Sequence, residues 1–512
     1  MNKRALLLSA AAAALLSAPA LADTTITKVE STEQKTSSTG NLTINSGGGI
    51  SFKSATNPLL LIDSSNTVNN GGALSAQDQD KATAVIIESN DLIGSFTSNG
   101  TIGLTGSGTG KTAIHLQSGT GAFTGNITLD SNSAVTIVGQ SSTGLVSDPA
   151  TVLNGDWLLA GSFAMNPGTS SGSSTSSAIT IANLFGTTNG NVIIQAASSY
   201  SAIGSGAQGF VLSGPLNHCN TVAVPTCTEI GTFSNSGVIA VAGIAVRNPK
   251  GNNPESGSAV VIENNLAGGF LNNGPVNAAD TTTAASISGN GIEPVVLVGS
   301  TLSSSVDLDI VSSDATNGTF GFINRGTIAA SPLDPNKSAL DIRFSGGAAT
   351  PVVVHGGIFT SGIITASATS VTPGTAVSAT ALEIDQYVTI PKIVVSSQAV
   401  SSGSSLGTVS ASIAGPQGGI ATAILLGGEP VGAVAVTSVP EIDIQAGARV
   451  TANATASEPS GTTIGTLAAI AIQDVTNSLI TLNNAGTISA AARLTDATGT
   501  TILLGNGQSP AA

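Results

Sequence analysis

The sequence predicts an all-β chain wound as a parallel β-helix, a solenoid of stacked strands with projecting loops. Three observations predict it. One strand motif recurs with a period of two, a second motif alternates with it, and the composition is small and aliphatic with few aromatics. The chain has 512 residues, of which 41% are hydrophobic, 9% charged and 3% aromatic, with 62 Gly. That apolar content is too high for a disordered chain, and the Gly lacks the every-third spacing of collagen.

The first motif places a bulky residue, a small polar residue, Gly and then Ile or Val at every second position. It reads Phe96-Ser98-Gly100-Ile102, Phe233-Asn235-Gly237-Ile239, Phe270-Asn272-Gly274-Val276 and Phe322-Asn324-Gly326-Ile328. Two looser copies are Ile358-Thr360-Gly362-Ile364 and Leu482-Asn484-Gly486-Ile488. A period of two is that of a strand with one buried face. Asn before Gly predicts a bend at positive φ, with side-chain amides placed to stack between layers.

The second motif is Ala followed by apolar-x-apolar, beginning at Ala84, Ala113, Ala259, Ala339, Ala381, Ala423 and Ala469. Ala339, Ala381 and Ala423 are evenly spaced, and several copies alternate with the first motif. This reads as a unit of about 42 residues holding two stacked layers, so that roughly 20 layers at the strand spacing give a rod on the order of 100 Å long. Helical alternatives fail because Gly, Ser, Thr and Val dominate and no sustained 3.6-residue period occurs. A propeller would mark each blade with aromatics, and the chain has a single Trp, Trp157. Ile, Val, Leu and Ala ladders filling a narrow coil account for the scarcity of aromatics.

Domain organisation follows from these signals. Residues 1–22 read as a secretory signal: Lys3 and Arg4, an apolar run from Ala5 to Ser17, and Ala20-Leu21-Ala22 before a cut between Ala22 and Asp23. Residues 23–40 are an N-terminal flank or cap, 41–505 the coil, and 506–512 a tail. Loops are expected at Asn166 to Ala178, Ser213 to Glu229, Arg247 to Gly257 and Ser331 to Ser338, where Pro, Gly and Ser break the beat. Without the signal, 13 basic residues face 29 acidic ones, a net charge of −16. That charge, with no basic patch, argues against nucleic acid and anionic lipid as partners. In an oxidising compartment Cys219 and Cys227 should form a disulfide closing a short local loop.

The secretory signal, the Gly/Ser/Thr/Asn-rich body, the repeated Phe-x-Asn-x-Gly-x-Ile strands and the close Cys pair resemble the passenger region of a Gram-negative autotransporter (type V secretion). The resemblance covers most of residues 23–505. It implies a right-handed β-helix exported through the periplasm and an outer-membrane translocator barrel, then displayed at the cell surface or released. The chain departs from the family pattern at its end: its last 100 residues hold no Phe, Tyr or Trp, whereas a barrel would be rich in them. A fragment or truncated passenger, its barrel outside this chain, is the expectation.

Candidate chemistry is sparse. Gly106 to Thr112 reads GSGTGKT, but a phosphate loop needs Gly at the position held by Thr105, and a helix where TAIHLQ reads as strand. His115 aligns with Asp341 and Glu383 at an outward position of the second motif. His355 ends a strand in VVVHGG, with no Asp-Asp motif accompanying it, and His218 neighbours Cys219. The pairs Asp307/Asp309, Glu383/Asp385 and Glu441/Asp443 each lie on one face of a strand. Ca²⁺ takes such oxygen ligands, but a solvated outer face ranks above that reading. No catalytic, cofactor or metal set emerges. The leading expectation is a non-enzymatic surface passenger, an adhesin or structural rod with a host, surface or polysaccharide ligand. A secreted β-helical polysaccharide lyase or hydrolase ranks next, and a self-assembling surface-layer component third.

Overall fold

The computed structural model describes residues 22–52, 58–168, 179–218, 231–244, 255–277, 279–299, 304–314, 316–372, 374–400, 403–405, 407–428, 437–457, 466–495 and 501–509. The expected signal up to residue 21 and the pair Cys219/Cys227 lie outside these residues. Ala22 and Asp23 are exposed, just ahead of the first strand, Thr24–Ile26.

The chain is a parallel β-helix. Each turn lays one strand on each of three long faces, which comprise 14, 15 and 13 strands. Short fourth strands join some turns, in runs of five and three. The flank at 23–40 carries the coil's first turn, with strands Thr24–Ile26, Val29–Glu30 and Gln34–Lys35, and one short helix, Thr36–Thr39. At the far end Thr501–Ser509 turns back and pairs antiparallel with Thr487–Thr495, ending the 15-stranded sheet, face 2. Among the described residues, no helix is long and apolar enough to cross a membrane.

The two sequence motifs sit on different faces of the same turn. Face 1 stacks one inward column from Leu42 through Val68, Phe96, Ile127, Trp157, Val192, Phe233, Phe270, Phe322, Ile358, Ile393 and Ile442 to Leu482. The Ala motif lies on face 3. The unit of about 42 residues is therefore one turn, not two layers. Fourteen turns at the strand spacing make a coil on the order of 65 Å long, shorter than the expected rod. The turns are unequal because loops enter at the corners. One such insertion follows Gly274, so Ile287 and not Val276 stacks on Ile239.

The motif's Asn positions do form an internal ladder. Asn235 Nδ2 donates to Asn272 Oδ1 at 2.9 Å, Asn272 Nδ2 to Asn324 Oδ1 at 2.8 Å, and Asn324 Nδ2 to Thr360 Oγ1 at 3.2 Å. All four are buried inside the coil. Each rung satisfies amides that would otherwise be orphaned in an apolar interior. The Gly that follows serves a different purpose from the one expected. None of the motif glycines has positive φ. A Cβ on Gly362 would lie 2.0 Å from Gly326 O, and one on Gly100 2.1 Å from Gly72 O. Close approach of successive turns at the corner, not backbone handedness, selects glycine there.

The second motif also shifts register. Ala339 stacks on Ala379 and Ile342 on Leu382, which places Asp341 opposite Ala381, pointing into the coil. Asp341 is fully buried, so its expected outward position alongside His115 and Glu383 is wrong. His115 does face outward, stacked between Ile86 and Val146.

Candidate functional site

The GSGTGKT segment folds as a corner between faces 2 and 3, leading directly into the strand Thr112–Gln117. Most of its amides are already taken. Ser107 N donates to Asp78 Oδ1 at 2.9 Å and Thr109 N to Asp80 Oδ1 at 2.7 Å. Two carboxylates of the previous turn thus stand where a phosphate would have to be cradled. Lys111 is fully buried, and its Nζ donates to the carbonyls of Thr105, Gly106 and Val138 at 2.7, 3.0 and 2.6 Å. Burial draws its ammonium below the ordinary lysine value, against the pull of Asp78 and Asp80. The lysine pegs neighbouring turns together and offers nothing to a nucleotide.

Two histidines meet carboxylates on the outer surface. His115 Nε2 lies 2.8 Å from Asp148 Oδ1. Burial works to raise Asp148, but hydrogen bonds from His115 and Ser118 outweigh it and hold the carboxyl below its ordinary value. His355 Nε2 lies 2.7 Å from Asp307 Oδ1, with both side chains about half exposed. Sequence reasoning treated His355 and the Asp307/Asp309 pair separately, and the coil brings the first two together. Asp309 bonds the amide of Ile310. His218 is exposed at the edge of the described residues.

The other carboxylate pairs are also engaged. Glu383 and Asp385 are buried, in contrast to the solvated face expected of them, and flank the Arg343 guanidinium, with Nε 2.7 Å from Asp385 Oδ2 and 3.6 Å from Glu383 Oε1. Glu441 accepts from Asn483 Nδ2 at 3.2 Å and Asp443 from Gln445 Nε2 at 3.4 Å. Among the described residues no group of three or more His, Cys, Asp or Glu is placed to hold a metal ion.

Sequence reasoning missed a strap on the outside of face 1. Residues 309–314 and 316–320 lie over the outward column Leu271, Ile323, Phe359 and Val394, adding Val311 and Phe320 to a second small apolar cluster. A buried ion pair between Asp314 and Arg325 anchors it, and Lys392 Nζ sits 4.8 Å above the Phe320 ring. Arg325 occupies the motif position between Asn324 and Gly326, where the other copies carry small or uncharged residues, and this was the available signal. The loop at Ser331 to Ser338 is likewise pinned: Glu255 accepts the amides of Leu333 and Asp334 at 3.1 and 2.8 Å.

What the geometry defines is a solenoid whose polar groups mostly bind one another across turns. Comparison with family models, with curated proteins and with solved structures finds no match to this chain.

Proposed function

We propose that the chain is an exported, non-catalytic surface rod, the β-helical passenger of a type V secretion system, serving attachment or aggregation with an outer-membrane barrel as its translocation partner. The observation that supports it most is the continuity of the coil. A single apolar interior runs from Ile26 to Ala492, while most of the charged groups singled out by sequence pair with other groups of the chain. Such a body presents long, regular outer faces and few free reactive groups, which suits contact better than turnover. The signal at 1–22 supplies the route, and the scarcity of cysteine suits passage through a pore.

The test is to produce the full chain, joined to an outer-membrane barrel, in Gram-negative cells. A mature N-terminus at Asp23, loss of the chain from intact cells on protease treatment, and protease-sensitive cell clumping are expected. An uncut chain kept in the cytoplasm, or display without any gain in adherence, would overturn the proposal.

One observation favours a second reading, a polysaccharide-active enzyme: the His355–Asp307 pair with Asp309 beside it. Its exposure to water leaves it without the dry pocket that acid–base chemistry uses. Release of sugar fragments from polysaccharide by the purified chain, lost in His355→Ala, would install this reading in place of the first.

A further inference from the structure

One groove on the coil holds polar side chains that the rest of the molecule leaves unused. It lies at the corner between faces 1 and 2 in the second to fourth turns, has a volume of about 430 Å³, and includes Thr43, Asn45, Ser46, Asn69, Gly71 and Asn99 in its lining. Asn45, Gly71 and Asn99 follow Ile44, Asn70 and Ser98, which stack directly, so the three occupy one corner column in successive turns. Gly71 is the gap in that column. A side chain there would crowd Asn99, since a Cβ would sit 3.1 Å from both Asn99 Oδ1 and Ile44 O.

The amides facing this notch contrast with the asparagines that tie successive turns together. Asn70, Asn154, Asn189, Asn235 and Asn272 spend their side-chain donors on neighbouring turns. Among the described residues, the side chains of Asn45, Asn69 and Asn99 have no such partner, and all three are exposed. Asn45 and Asn99 stand two turns apart, about 10 Å along the axis, a span comparable to a disaccharide.

We infer that this notch binds a neutral glycan chain laid along the coil axis. Each free amide offers both a donor and an acceptor, which is what a sugar hydroxyl pairs with. The groove's lining includes no charged residue, so neither an anionic nor a cationic polymer gains an ion pair. An apolar ligand would strip water from three amides without replacing their hydrogen bonds. An extended peptide finds no free sheet edge, because these strands pair with a turn on either side. The assignment deepens the surface-rod reading by naming its ligand class. It fails separately, since a coil that binds no sugar can still be displayed at the cell surface.

The experiment is calorimetric titration of the purified chain with neutral hexasaccharides of glucose and of N-acetylglucosamine, and with a galacturonate hexamer. Saturable binding of a neutral hexamer is expected, weakened at least tenfold in Asn45→Ala/Asn99→Ala and again in Gly71→Ser, with circular dichroism unchanged. Three results would overturn it: no binding of either neutral hexamer, preference for galacturonate, or binding that survives the double substitution. Should Gly71→Ser disturb the spectrum, the exposed Asn pair alone decides.

Discussion

The central and C-terminal parts of the coil solve the same packing problem in opposite ways. Between Phe163 and Phe344 the interior is a chain of rings: Phe163, Tyr200, Phe210, Phe233, Phe270, Phe322 and Phe344 touch in succession, with centroids 4.4 to 5.8 Å apart. Beyond Ile363 the rings give way to Ala366, Ala379, Ala411, Ala423, Ala452 and Ala454, all buried. Strands there lengthen to eight or nine residues, as in Val377–Ile384, Gly419–Leu426 and Arg449–Ser457. Adjacent strands of faces 2 and 3 approach within 8 Å, Cα to Cα, along more of their length than in the central section. The central section fills a wide coil with large side chains, whereas the terminal section closes the coil around small ones. Stability in the first depends on volume present, and in the second on volume absent.

The largest effect should come from emptying the wide section. Phe322 is fully buried, stacked 4.4 Å from Phe270 and edge-on to Phe344. Phe322→Ala should cost about 3–5 kcal/mol. Because solenoid turns exchange stability mainly with their neighbours, hydrogen exchange in urea should report the loss around residues 260–350 and little change near residue 450. Uniform loss along the chain would show that the two sections unfold as one.

The converse substitution tests the narrow section. Ala452 stacks between Ala411 and Ala490 and is buried. Ala452→Leu should cost about 1–3 kcal/mol by overpacking, localised to the last turns. A neutral or stabilising result would mean that faces 2 and 3 part easily and that the section is not closed by small residues.

The polar ladder separates the sections once more. Asn272 accepts from Asn235 and donates to Asn324, but the same column continues as Val395 and Ile444 in the C-terminal section. Asn272→Ala leaves buried amide groups unpaired on both sides and should cost about 1–3 kcal/mol, read from the urea midpoint. Asn324→Ala should be coupled to it by about 0.5–3 kcal/mol in a double-substitution cycle, and strictly additive costs would deny the ladder its role.

How far the sequence carried these distinctions depends on the residue. The alternation of the face 1 motif exposed the inward column wherever Phe, Asn and Gly coincide, and the coil followed from that. Ile127, Trp157 and Val192 fill the same column without the motif, so their turns could not be recognised as repeats. Register on face 3 was misjudged because Ala339 and Ala381 look equivalent in sequence while the strands pair Ala339 with Ala379. Only neighbouring turns set that offset. The candidate chemistry was readable as residue types but not as partners. His355 and Asp307, or Arg343 and Asp385, lie far apart in sequence and meet because successive turns stack. The notch at Gly71 was invisible for a related reason, since a missing side chain matters only beside the turns above and below it.

Asp341 marks the boundary between the sections and gives the most specific effect. It is fully buried opposite Ala381, with Oδ2 accepting the Thr365 amide at 2.9 Å and Oδ1 without a partner. Burial raises its carboxyl well above the ordinary value of 3.8, and the Thr365 bond opposes this only in part. Below pH 3.8 the group is neutral in both folded and unfolded chains, and its contribution to stability is fully present. As pH rises above that, the unfolded chain ionises while the folded chain keeps its proton, so stability declines until the folded value is passed. Asp341→Asn keeps the bond to Thr365 and removes the proton. The variant and the parent should therefore have their smallest stability difference near pH 3.5 and diverge upward from pH 4, with the variant more stable at pH 7 by urea titration. Parallel pH curves for the two chains would show that Asp341 does not carry this cost.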